Sequence, residues 1–164
     1  MYRIGEHVIH PGQGVCTVVG FQDAPSPMIV LEARSGRAKT RLLYPAAQQD
    51  RLHPCVSRAE AERLIEHYGT MECDGFHERN SSLEEAYFKR QIKSGAPETM
   101  RVAKTMRTRI RDAKARNKKP SSYYSRILKE ADRRVIEELA VALGTSEEDA
   151  RARIEAAAWG FSDN

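Results

Sequence analysis

The stretch Gly5-Glu-His-Val-Ile-His-Pro-Gly-Gln-Gly14 decides how the first part of the chain folds. A glycine opens it, an apolar/polar alternation that includes Val8 and Ile9 follows, and a Pro-Gly-x-Gly turn closes it. The β-rich run Val15–Val19 comes directly after the turn. Period-two alternation bounded by turn residues predicts two short strands around a tight turn.

Further strands are expected up to Tyr44. The runs Val15–Phe21, Met28–Ala33 and Ala38–Tyr44 are β-branched or apolar, and turn residues separate them at Asp23–Pro27 and at Ser35-Gly36. Four or five strands in so short a stretch favour a small closed barrel over an open sheet, because closure removes exposed edges. We predict an α+β protein that begins with a small antiparallel β barrel of SH3- or Tudor-like type.

Helical signals follow from Ser57 onward. They comprise a capping box at Ser57-x-x-Glu60 with Gly69 as the C-terminal cap, a helix over about Leu83–Lys93, a helix opened by Pro97, a helix from Ser121 or Ser122 to Gly144, and a last helix opened by Thr145-x-x-Glu148. A β module followed by helices alone argues for two domains. We predict a β-barrel domain over 1–55, a connecting helix and linker over 56–78, and an all-helical domain over 79–164.

The charge of the chain is unevenly divided. The net charge is +4 over 164 residues, with 27 Lys and Arg against 23 Asp and Glu, and the excess lies in the second half. It is sharpest between Arg101 and Lys119, where Asp112 is the one acidic residue. A local imbalance of this kind attracts polyanions, although such runs are also typical of solvated faces.

Cysteine content and hydropathy argue against several classes of protein. Three widely spaced cysteines, Cys16, Cys55 and Cys73, form no C-x-x-C pair, so neither a disulfide framework nor a zinc site is indicated. The sequence has no apolar segment long enough to span a membrane, and its N-terminus lacks the apolar core of a signal peptide. We expect a cytoplasmic monomer that has no membrane contact, no metal and no cofactor.

The segment from Glu98 to Asn117 predicts a helix with two different faces. One face carries apolar residues at helical spacing, from Val102 and Met106 to Ile110 and Ala113. Basic residues recur every three or four positions on a second face, at Arg101, Lys104, Arg107, Arg111, Lys114 and Lys118. A phosphate backbone would relieve the repulsion among these charges and release counterions. No aromatic residue is interleaved among them, so we favour contact with duplex phosphates over base stacking or base readout.

Several segments together resemble the CarD family of bacterial RNA-polymerase-binding regulators. The opening stretch is similar to that family's Gly-Asp-x-Val-Val-Tyr-Pro-x-x-Gly, a form also found in the polymerase-interacting module of the transcription-repair coupling helicase. Tyr44-Pro45-Ala46, Ile92-Lys93-Ser94-Gly95 and the helix from Ser122 to Leu139 resemble later family segments in the same order. The resemblance covers nearly the whole chain.

The resemblance implies a two-domain transcription factor without enzymatic activity. The barrel would bind the β subunit of RNA polymerase through the strand Ala38–Tyr44, which would present Lys39, Arg41 and Leu43 outward. Leu43 aligns with a polymerase-contacting arginine of the family, and Arg41 lies two residues earlier on the same strand face. The helical domain would contact promoter DNA near the upstream fork, mainly at phosphates, and would modulate the stability of the open complex.

The expected DNA-contacting residues come from the basic helix and from the helices that flank it. They are Arg79, Ser81, Arg101, Lys104, Arg107, Arg111, Lys114 and Arg126. Ser81 stands where the family has a wedge tryptophan, and Leu83-Glu84-Glu85 stands where it has basic residues. A serine cannot prop open a base step as a large apolar ring does, so binding without a wedge is expected.

Two other classes of function remain open from the residues alone. Asp74, His77 and Glu78 stand close together and could form a metal or general-base site of an enzyme, although no nucleophile elbow or phosphate loop accompanies them. The chain could also be a protein-only adaptor that docks its basic helix on an acidic partner.

Overall fold

In a computed structural model of the chain, which describes residues 1–35 and 38–159, the backbone separates into two units, Met1–Cys55 and Val56–Asn164. The first unit contains the strands and the second the α-helices. Each unit has its own apolar interior. The predicted order of strands first and helices afterwards is confirmed.

The N-terminal unit is a five-stranded antiparallel sheet. Its strands are β1 (His7–His10), β2 (Gly14–Gln22), β3 (Met28–Ser35), β4 (Ala38–Pro45) and β5 (His53–Pro54). Their order across the sheet is β4-β3-β2-β1-β5, so each neighbouring pair along the chain from β1 to β4 is a hairpin. The opening stretch forms the predicted hairpin, in which Val8 faces Cys16 and His10 faces Gly14 across β1 and β2. Gly14 has φ 81°, a conformation that favours glycine.

The predicted closure into a barrel is wrong, because the sheet is open. Its two edges are β4 and β5, and β5 has only two residues, which pair with β1. So short a strand offers too few hydrogen-bonding groups to join the two edges. The predicted turn at Ser35-Gly36 falls partly on residues 36–37, which lie outside the described residues.

Alternation along the strands places the apolar interior on one face of the sheet. Val8, Cys16, Val18 and Leu31 are almost fully buried there. The short 3₁₀ segment Ala46–Arg51 leads to Leu52, which packs into the same cluster. The outward positions of β4 are therefore left to solvent.

Among the residues that the structure describes, the second unit contains five α-helices. They are α1 (Arg58–His67), α2 (Ser81–Gln91), α3 (Ala96–Ala115), α4 (Ser122–Leu143) and α5 (Glu147–Trp159), with a 3₁₀ turn at Tyr68–Thr70. One apolar cluster includes Ile65, Met100 and Leu139, and a second includes Phe88 and Met106. Because α3 and α4 contribute to both clusters, they are the scaffold on which the shorter helices pack.

Local capping signals account for most of the helix ends. The side chain of Ser57 accepts a hydrogen bond from the backbone N–H of Glu60, as the predicted capping box requires. Pro97 lies in the first turn of α3, and Gly144 ends α4 with φ 66°; both predictions are confirmed.

Three predicted helix ends differ from the structure. Gly69 lies within the 3₁₀ turn, since α1 already ends at His67. The second helix begins at Ser81 rather than Leu83, because the side chain of Asn80 accepts from the backbone N–H of Ser82 and caps it. The hydroxyl that caps the last helix belongs to Ser146, which accepts from the N–H of Asp149, and not to Thr145.

The segment that we predicted as a connecting helix and linker, 56–78, lies in the helical unit. The backbone N–H of Val56 donates to Oε2 of Glu138 at 3.0 Å. Nη2 of Arg58 donates to the carbonyl oxygen of Leu143 at 2.8 Å. These bonds attach the start of α1 to α4.

Candidate functional site

Strand β4 is an edge of the sheet and carries an exposed row of side chains. Lys39, Arg41 and Leu43 occupy alternate positions of β4, so they share one face of the strand. The exposed fractions are 58% and 74% for the two cationic side chains, and Leu43 is 54% exposed. The structure thus brings the three predicted polymerase-contacting residues together on one accessible strand.

One carboxylate on the neighbouring strand faces this row. Glu32 of β3 lies directly opposite Arg41 in the register. Its carboxylate is 3.8 Å from Nε of Arg41 and 3.9 Å from Nζ of Lys39. Ion pairs this exposed contribute little, typically under about 1 kcal/mol, so a partner that offers another carboxylate can replace them.

The predicted basic face of α3 divides into anchored and exposed residues, and Lys104 and Arg107 are anchored. Nζ of Lys104 donates to the carbonyl oxygens of Tyr68 and Gly69, each at 2.9 Å. Arg107 donates to the Tyr68 hydroxyl at 2.8 Å and to both carboxylate oxygens of Asp132 at 2.7 Å, and its side chain is only 16% exposed.

Burial shifts the pKa values of the two groups that Arg107 contacts, Tyr68 and Asp132. It raises the pKa of Tyr68 to about 12, so the phenol stays protonated. Burial also raises the pKa of Asp132, which the adjacent Arg107 guanidinium counteracts. Lys104 and Arg107 therefore hold the 3₁₀ turn and α4 against α3, which corrects the expectation that the whole stripe projects outward.

Four of the other predicted cations, on α3 and α4, are accessible. Arg101 and Arg111 have exposed side chains, with the nearest carboxylates being those of Glu98 at 3.8 Å and Asp112 at 3.5 Å. Lys114 is also exposed. Arg126, at the start of α4, is 60% exposed and lies 3.2 Å from a carboxylate oxygen of Glu85 on α2. These four residues form the exposed cation set.

Arg79 and Ser81 lie at the start of α2, and both are exposed. Ser81 is the first residue of the helix, directly after the capping Asn80. The position at which the family resemblance places a wedge ring is thus on the surface and at a helix end. It carries only a hydroxymethyl group here.

Sequence reasoning missed a buried polar cluster around Glu84. Its Oε1 accepts from Nη1 of Arg109 at 3.2 Å and from the Tyr123 hydroxyl, and its Oε2 accepts from the backbone N–H of Glu78 at 2.8 Å. The Glu84 and Arg109 side chains are 7% and 11% exposed. Glu84 stands four residues before the buried Phe88, and that spacing was the available signal that it faces inward.

The Glu84 cluster also holds the irregular segment that precedes α2. Nη2 of Arg109 donates to the carbonyl oxygens of Asp74 and Phe76. The Tyr87 hydroxyl donates to Oδ2 of Asp74 at 2.7 Å, and the Phe76 and Tyr87 rings stack 3.9 Å apart. These contacts fix the segment to α2 and α3 although it has no regular structure of its own.

The three residues considered for an enzymatic site have structural contacts. Asp74 accepts from Tyr87 and from the N–H of Phe76, Glu78 accepts from the N–H of Arg79, and Nδ1 of His77 lies 3.8 Å from Glu84. Among the residues that the structure describes, no group of three or more His, Cys, Asp or Glu side chains is arranged to hold a metal ion.

Comparison with protein families bears on the N-terminal unit. Residues 2–56 match the family model described as the CarD-like/TRCF RID domain. The chain contains a CarD-like domain. The match covers the whole open sheet, including β4, and it supports an RNA-polymerase-interacting protein of bacterial type. No curated protein matches the chain. In the described part of the chain, no helix is long and apolar enough to cross a membrane.

Proposed function

We propose that this chain is a bacterial transcription regulator, not an enzyme, that works in the cytoplasm by binding RNA polymerase and promoter DNA. Its CarD-like domain binds the β subunit through β4. Its helical unit contacts promoter DNA near the upstream fork and modulates the stability of the open complex. The observation that carries the proposal is the exposed edge strand β4 within a domain of the CarD-like/TRCF RID family.

The edge strand suits a partner that adds a strand to the sheet. Backbone groups along β4 provide affinity in such an arrangement, and the alternate side chains Lys39, Arg41 and Leu43 provide specificity. Leu43 supplies apolar area between polar neighbours, while the two cations favour an acidic strand. Such a partner would have to displace Glu32 from the two cations.

The exposed cation set supports the DNA part of the proposal. Arg101, Arg111, Lys114 and Arg126 are free to reach phosphates, whereas Lys104 and Arg107 are engaged inside the unit. Phosphate contacts position a protein on a duplex without reading its sequence. Since Ser81 provides no wedge, sequence preference would have to come from the polymerase to which the protein is bound.

Arg41→Glu tests the polymerase contact. Affinity for the purified β subunit, measured by biolayer interferometry with the full chain, should fall at least about tenfold, because a cation at the interface becomes an anion. The thermal midpoint should stay nearly unchanged, since Arg41 is 74% exposed. Arg51→Glu is the matched control, an exposed arginine of the same unit outside β4. Undiminished binding by Arg41→Glu would remove β4 from the interface.

A further inference from the structure

An apolar groove opens on the surface of the helical unit between α3 and α4. It has a volume of about 340 Å³ and is lined by Arg107, Ile110, Arg111, Lys114 and Leu128. Ile110 continues the apolar face of α3 beyond Val102 and Met106, which are fully buried. It is itself only half-buried and belongs to none of the apolar clusters among the described residues. The apolar face of α3 therefore extends past the core that covers it.

The rim of the groove is cationic. Arg111 and Lys114 are exposed, and Arg111 has Asp112 as an exposed partner at 3.5 Å, a pair that a ligand can displace. Arg107 also lines the groove, and its guanidinium pairs with Asp132. Two accessible positive charges thus flank an apolar floor made by Ile110 and Leu128.

We propose that this groove docks an acidic amphipathic segment of a protein partner. The segment's carboxylates would pair with Arg111 and Lys114, and one or two of its apolar side chains would cover Ile110 and Leu128. Charge complementarity selects acidic residues, and the apolar floor favours a protein over a nucleic acid, because a sugar–phosphate backbone has no apolar group as large as a leucine or isoleucine side chain to place there. A helix that lays its apolar residues into a groove is a common form of peptide recognition.

This proposal competes in part with the proposed DNA contact, because both use Arg111 and Lys114. A bound acidic segment would occupy these two cations and leave Arg101 and Arg126 accessible. A protein partner would therefore weaken phosphate contact without abolishing it.

A pair of peptides tests the proposal on the full chain. One fluorescein-labelled probe is a glutamate-rich peptide of about three helical turns with two leucines one turn apart. The other has serines in place of the leucines and the same charge. In fluorescence anisotropy at physiological salt, we expect the leucine peptide to bind at least about tenfold more tightly. Equal binding of the two peptides would overturn the proposal, and this comparison requires no variant protein.

Ile110→Ser locates the site. It should remove the advantage of the leucine peptide, whereas Leu83→Ser, which changes a leucine of the same unit that is 57% exposed and lies outside the groove, should retain it. Thermal unfolding of both variants verifies that they are folded. A leucine advantage that survives Ile110→Ser would place the peptide elsewhere. If Ile110→Ser instead weakens binding of a DNA duplex while the two peptides bind alike, the groove serves nucleic acid and the proposal is wrong.

Discussion

Replacement of Glu84 by glutamine should destabilise the helical unit far more than the same change at Glu85. Glutamine keeps the size of the side chain and removes its charge. The Glu84 carboxylate accepts from Arg109, from Tyr123 and from the backbone N–H of Glu78, and it is 7% exposed. An amide has only one oxygen to share among these three donors.

The size of the expected loss of unfolding free energy follows from the burial of Glu84 and Arg109. Removing one partner of a buried ion pair costs about 3–5 kcal/mol, because the other charge stays buried without compensation. Arg109 is 11% exposed and keeps its bonds to two backbone carbonyls, so a loss near the lower end, about 3 kcal/mol, is expected. Typical domains have only about 5–15 kcal/mol of unfolding free energy, so such a loss is large.

Urea unfolding followed by circular dichroism in the far ultraviolet measures this loss, because α-helices dominate that signal. Glu85→Gln is the matched control in the adjacent position. Glu85 pairs with Lys89 and Arg126, whose side chains are 61% and 60% exposed, so the control should lose less than about 1 kcal/mol. Equal losses in the two variants would refute the assignment of Glu84 as a buried anchor.

A double-mutant cycle adds a second criterion. Arg109→Met alone leaves the Glu84 carboxylate buried without its guanidinium, and it should also be strongly destabilising. The double variant Glu84→Gln/Arg109→Met contains no buried charge at this position. It should therefore lose clearly less than the sum of the single losses, and strict additivity would show that the two side chains do not interact.

Further outcomes are expected elsewhere in the chain. Burial raises the pKa of Glu138 to about 7 from its ordinary 4.5. The folded state therefore binds this proton more tightly than the unfolded state does, and the free energy of unfolding should fall as the pH rises from 4.5 to about 7. Glu138→Gln should abolish that fall, as measured by urea midpoints at a pH below and a pH above this range. If the variant keeps the same pH dependence, other groups cause the fall. Ser57→Ala should reduce the unfolding free energy by about 1 kcal/mol through loss of the α1 cap, and a loss indistinguishable from zero would argue against that cap. Affinity for duplex DNA should fall steeply with salt, and Arg111→Ala and Lys114→Ala should each flatten the log–log slope by about one; a salt-independent affinity would contradict phosphate contact. Ser81→Trp should lengthen the lifetime of a polymerase open complex in a filter-binding assay, and no change would place this position away from the fork.

Local signals allowed much of the fold to be predicted from sequence. Turn residues bracket β1 and β2, the side chain of Ser57 caps the start of α1, and the left-handed Gly144 ends α4. Such features depend on a few neighbouring residues, which a sequence displays directly. Closure of the sheet could not be predicted in this way, because it depends on whether the first and last strands meet, and a two-residue β5 prevented it.

The division of the basic residues on α3 also depends on distant contacts. Periodicity placed Arg107 and Arg111 on one side of the helix, and both were expected to face solvent. Arg107 instead reaches Asp132, which lies 25 residues further along the chain, while Arg111 pairs with its exposed neighbour Asp112. Spacing defines the face of a helix, but the elements packed beside that face decide which of its charges remain accessible.

The open edge of β4 has a consequence for self-association. An edge strand can pair with an added strand without breaking existing backbone hydrogen bonds. A second copy of the same domain could supply its own β4 as that strand. Lys39 and Arg41 oppose that pairing, because two like strands would bring four cations together against the two Glu32 carboxylates. A strand with the opposite charge meets no such barrier. The two cations that would favour an acidic partner strand thus oppose the pairing of β4 with a second copy of itself.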